Sequence, residues 1–186
     1  YQLDGDASDL SGTYGGVTTG IGYTGLKFQP DLVWIKNRTS AGYEHFWWDS
    51  VRLAGGNKDI NSDSTNFQGE ENTSAFGNLS SFDSNGFTVT SGTTNAVTVN
   101  NNTDGYVAWC WLAGGAPDAT NSNGAGLAPT LGSVMIDGVK STAALLGTIA
   151  AKKISANTAA GFSIVQHVAN NSNDTIAHCL SSAPDL

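Results

Sequence analysis

Apolar residues in this chain come in short runs separated by Gly, Asn, Ser and Thr, and where a run has a clear period, that period is two. The densest run is Leu32-Val33-Trp34-Ile35, between Pro30-Asp31 and Lys36-Asn37-Arg38. Four β-favouring apolar residues behind a proline that cannot donate a ladder hydrogen bond predict a central strand buried on both faces. Glu44-His45-Phe46-Trp47-Trp48-Asp49 predicts a second strand, in which Trp47 and Trp48 point to opposite faces, one into the core and one more exposed. Ser84-Asn85-Gly86 predicts a turn into Phe87-Thr88-Val89-Thr90, and Ala96-Val97-Thr98-Val99 repeats the alternation. An Asn-rich turn then leads into Tyr106-Val107-Ala108-Trp109-Cys110-Trp111. There Val107, Trp109 and Trp111 share one face and Tyr106, Ala108 and Cys110 the other, so the run reads as a second core strand.

Elsewhere the pattern is weaker. Residues 1–20 carry few anchors beyond a possible edge strand at Tyr14 to Thr18, and 50–80 form a long polar stretch without period, the kind that is usually functional or mobile. Gly114-Gly115-Ala116-Pro117 breaks the series. Beyond it, Ser133 to Gly138 predicts a short strand and turn, and Thr142 to Lys153 a short helix weakened by Gly147. Gly161 to Val168 and Thr175 to Leu180 predict a hairpin. The expected organisation is an opening segment at 1–20, a β-sandwich core at 21–115 and a Gly/Asn-rich linker at 116–132. Appended strands at 133–186 would complete the sandwich or begin a following repeat.

Composition sharpens this. Only 13% of the 186 residues are charged while Gly numbers 23, which suits an all-β fold of short strands, long polar loops and many turns. A net charge of −8 argues against a phosphate-binding surface, so nucleic acid is not an expected partner. The longest apolar run, Ala143 to Ala151, is far short of the roughly 20 residues a membrane-spanning helix needs, so no membrane insertion is expected. Cys110 and Cys179 both lie in apolar runs and read as buried thiols. Near the end, Leu180, Pro184, Asp185 and Leu186 repeat the spacing of Leu26, Pro30, Asp31 and Leu32. That echo is expected of a tandem array, or of a strand donated to a neighbouring copy.

The motifs Phe28 to Arg38, Trp48-Asp49-Ser50-Val51-Arg52, Ser81 to Thr88 and Tyr106 to Trp111, in that order, resemble a concanavalin-like sandwich domain. That domain recurs, often in tandem, in tail-fibre and other virion structural proteins of bacteriophages. The resemblance implies a jelly-roll β-sandwich of the concanavalin A-like lectin type, located in a virion and assembled with copies of itself and other virion proteins. It brings no catalytic residues, and the fold alone does not establish sugar binding.

Candidate chemistry is sparse. Asp59, Asn61 and Asp63, with Glu70 at the twelfth position, have the ligand spacing of a helix-flanked calcium loop. Calcium is therefore the one cofactor to test. Ser64 stands where that loop needs Gly, Asn66 where it needs an apolar residue, and no amphipathic helix flanks it, so a hydrated Asx-rich turn is the alternative. His45, His167 and His178 read as ordinary sheet-surface or turn histidines. Glutamates occur only at Glu44, Glu70 and Glu71, and no strand alternates acidic residues as a sandwich glycosidase would, so no enzyme is expected. An exposed Trp47 or Trp48, with Tyr43, could stack on a bacterial surface glycan. Against this stands the expectation that most of the five tryptophans fill the core.

Overall fold

The computed structural model describes residues 21–24, 26–70, 73–93, 99–102 and 104–180. The opening segment, most of the expected strand at 96–99 and the terminal echo at 181–186 lie outside them. The strands are β1 (Ile21–Thr24), β2 (Leu32–Asn37), β3 (Phe46–Asp49), β4 (Ile60–Asn61), β5 (Asn78–Asp83), β6 (Gly86–Thr90), β7 (Tyr106–Trp111), β8 (Val134–Ile136), β9 (Val139–Lys140), β10 (Lys153–Asn157) and β11 (Phe162–Gln166). One helical turn, α1 (Thr73–Phe76), is the only α-helix among the described residues. The fold is all-β: the β1–β6, β5–β6, β2–β7, β3–β4, β8–β9 and β10–β11 pairs are antiparallel, and β8 and β10 pair in parallel.

The chain divides into two compact units, the first holding residues 21–48 and Arg52–Trp111, the second Asp49–Val51 and 112–180. In the first unit, one sheet has the order β1-β6-β5 and the other β4-β3-β2-β7. Both feed one core: Leu79, Phe87 and Val89 come from the three-stranded sheet, and Val33, Ile35, Phe46, Trp48 and Cys110 from the four-stranded one. Two sheets sharing an apolar layer make a β-sandwich. The β5–β6 hairpin turns at Ser84 and Asn85, where the sequence places it, with a register shift between Leu79 and Ser81.

The expectation of burial on both faces fails for β2 and β7. Val33 and Ile35 are buried, but Trp34 and Lys36 on the opposite face are half-buried. β2 is central in its sheet, whereas β7 is the last strand in the order, and its Trp109 and Trp111 face away from the core.

At one end of this sheet a single carboxylate ties two loops together. Asp104 accepts from the side chains of Asn37 (2.8 Å), Ser40 (2.7 Å), Asn101 (2.9 Å) and Thr39 (3.2 Å). Bonds from Asn101, Ser40 and Asn37, in that order, outweigh a partial desolvation and lower its pKa to about 2. Tyr106 Oη accepts the Asn101 N–H at 3.0 Å, and burial pushes this phenol up to about 12.

The second unit has its own sheet, β11-β10-β8-β9, and its own core of Val134, Leu145, Ala151, Ile154 and Ala156. Residues 116–132, expected as a linker, are tied into this unit by buried Asn121. Its side chain donates to Ala151 O (3.0 Å) and accepts from the backbones of Asn123 and Thr130. No helix forms over 142–153. Gly147 adopts φ +112°, and this backbone bridges to Ile176 instead. The expected hairpin is also replaced: β11 pairs with β10, and Ile176 forms only isolated bridges, with Gly147 and Ile149.

Candidate functional site

The outer face of the four-stranded sheet carries an aromatic array. Antiparallel register sets Trp34 on β2 opposite Trp109 on β7, and their rings lie 4.6 Å apart. Trp47 on β3 stacks on Trp34 at 4.8 Å and 24°, and Trp111 lies parallel to Trp47 within 10° at 6.5 Å. The rings therefore follow the order Trp109, Trp34, Trp47, Trp111. All four are half-buried. Four of the five tryptophans thus lie outside the core, which overturns the expectation that most of them fill it.

His45, just ahead of β3, closes on the array. Its Nδ1 accepts the Trp34 indole N–H at 2.9 Å, and its ring sits 5.3 Å from that indole. Because Nδ1 accepts, the neutral imidazole carries its hydrogen on Nε2. The His45 backbone N–H donates to Asp63 Oδ1 at 2.9 Å, and Lys36 Nζ donates to Tyr43 O at 2.8 Å. The Trp47 indole nitrogen is buried without a hydrogen-bond partner among the described residues.

Of the residues proposed for glycan stacking, Trp47 belongs to the array and Tyr43 lies at its edge through Lys36. Trp48 does not qualify. It is fully buried, with its indole N–H donated to Gly55 O at 3.3 Å. Trp34, His45, Trp109 and Trp111 were not among the expected site residues. The signal for them was present in the shared face of Trp109 and Trp111 and in the period of two around Trp34, but the sequence did not say which face meets the second sheet.

The residues of the calcium spacing are not gathered into one acidic cluster among the described residues. Asp59 is buried, whereas Asp63 and Glu70 are exposed, Asp63 bonded to the His45 N–H and Glu70 to the Phe67 N–H at 3.0 Å. Among the described residues no three His, Cys, Asp or Glu side chains are placed to hold a metal ion. The physical reason lies in the flanks. Ile60 and Asn61 are extended and paired with β3, which parts alternate side chains, and Ser64 replaces the glycine a calcium loop turns on. Burial also pushes the Cys110 thiol up to about 12, against the character of a nucleophile. Among the described residues no helix is long and apolar enough to cross a membrane.

These features define an all-β protein of two compact units, the first bearing an aromatic sheet face. The chain belongs to a domain family of unknown function (DUF7483), which matches residues 8–134 and so takes in the whole array. Comparisons with curated proteins and with solved structures gave no match.

Proposed function

We propose that this protein is a structural β-module of a bacteriophage particle, a fibre, tail or decoration component, that assembles with copies of itself and other virion proteins by joining sheet edges. The order of its sequence motifs supports the phage assignment and the concanavalin-like jelly-roll type. One structural observation carries the mode of assembly. Among the described residues, the sheet of the second unit ends in β9 on one side and β11 on the other. β9 is two residues long and carries Lys140, bonded to Asp118 at 2.6 Å, the kind of short charged edge that deters pairing. β11, Phe162-Ser163-Ile164-Val165-Gln166, is longer, uncharged and free of proline. Beyond Phe162, such an edge strand can offer backbone donors and acceptors to another strand.

Val165 packs against the core of the second unit, so its neighbour Ile164 points to the other face, and Ile164→Lys charges the edge without entering that core. Sedimentation over a range of concentrations should show reversible self-association by the parent chain and a monomeric Ile164→Lys variant with an unchanged melting temperature. A parent chain that stays monomeric at high concentration, or a variant that associates equally well, would reject assembly through this edge.

A second reading, a carbohydrate-recognition module, is favoured by the aromatic face of the first unit.

A further inference from the structure

We propose that the aromatic face is a binding site for a neutral saccharide, with a pyranose ring stacked on the face of Trp109 turned away from Trp34. The inference rests on the carbohydrate-recognition reading and gives it a location and a ligand class.

The exposed area selects the size of the occupant. An aromatic side chain presents about 150–250 Å². Four half-buried indoles together leave roughly one ring's worth accessible, well below the about 800 Å² per partner of a stable protein interface. A ligand of one or two rings matches that area in size.

Charge selects the type. On β2 and β7 the residues sharing this face are Leu32, Trp34, Lys36, Val107, Trp109 and Trp111, and Lys36 is the only charged one, with its ammonium engaged by Tyr43 O. Asp63 adds a carboxylate beside His45, within a chain of net charge −8. An anionic ligand such as a phosphate would meet repulsion. The Trp34–Trp47 and Trp47–Trp111 pairs are near-parallel, at 24° and 10°, while Trp109 is tilted 38° to Trp34, and among the described residues no second ring converges on its free face as a quaternary ammonium would need. What remains is a neutral ring with an apolar C–H face and a polar rim.

Geometry selects the position. Trp34, on β2, is flanked by Trp47 from β3, stacked at 24°, and by Trp109 from β7, tilted at 38°. Trp109 stands at the end of the array on the last strand of the sheet, and among the described residues no aromatic ring stacks on its other face.

The test is indole fluorescence of the intact chain titrated with short neutral oligosaccharides of gluco, galacto, manno and N-acetylglucosamine type. At least one series should shift the emission and protect it from acrylamide quenching. Trp109→Ala should weaken that binding about tenfold or more, while Trp109→Phe, which keeps a stacking ring, should retain most of it. Binding that is indifferent to Trp109→Ala would overturn this site and leave carbohydrate recognition standing elsewhere. No response from any series at millimolar concentration would overturn both. If Trp109→Ala fails to fold, Trp109→Phe carries the test: it lacks the Trp109 indole, so the part of the emission that ligand protects should fall, and protection equal to the parent's would overturn the site.

Discussion

Asp104 shows how much of this fold's order rests on single polar side chains. It gathers four side-chain donors from two loops, and buried Asn37 returns the favour by accepting the Thr39 and Ser40 backbone N–H groups at 2.9 Å each. Replacing Asn37 with Ala removes both roles and should cost about 1–3 kcal/mol, read as a lowered denaturation midpoint. The Asp104 carboxyl has a folded pKa of about 2, below its ordinary 3.8, so its contribution is present above about pH 4 and is lost as pH falls toward 2. Denaturation across that window should show a slope in the parent chain that Asp104→Asn flattens, with the variant less stable at neutral pH. A slope of equal size in both would assign the acid sensitivity to other carboxylates. Cys110 gives a further check: buried, with its thiol pushed up to about 12, it should resist alkylation until the chain unfolds.

At the scale of elements, what was legible in the sequence was local. Leu32–Asn37 and Tyr106–Trp111 are visible as strands because each carries its own apolar density, and the Ser84-Asn85 turn because its residues set the backbone. Partners were not legible. The exposure of Trp34 depends on which face of β2 meets the second sheet, and its neighbour Trp109 comes from a distant stretch, so the array could not be read from either run alone. The second unit misled for the same reason. The sequence from 142 to 153 has helical residues, but Gly147 is placed by contact with the backbone at Thr175 and Ile176. Gly114 is a sharper case. Its N–H donates to buried Ser155 Oγ at 2.8 Å, and a Cβ there would run into the backbone carbonyls of Met135 and Ala156. Gly114→Ala should therefore destabilise the second unit by about 3 kcal/mol, at the upper end for overpacking, since backbone cannot rotate away as a side chain can. Thermal unfolding checks this, and a loss below about 1 kcal/mol would mean that β8 and β10 can part there without penalty.

Charge acts on the molecule as a whole. At −8 per chain, two copies approaching through β11 repel each other over a range of about 30 Å at 0.01 M salt and about 8 Å at 0.15 M. The strand itself contributes no ion pair, since Phe162 to Gln166 carries no charge. Salt can therefore only remove repulsion, and self-association should strengthen as ionic strength rises. It should strengthen again as pH falls toward the isoelectric point near 4.5, a range in which Asp104, titrating near 2, keeps its loops tied and the fold intact. Association built on ion pairs has the opposite salt dependence, so sedimentation at low and physiological salt separates the two mechanisms. Weaker association at higher salt would move the contact away from β11 to a charged surface. Saccharide binding at the tryptophans involves no net charge on the ligand and should be nearly indifferent to salt, so the same titration in both buffers tells the functions of the two units apart.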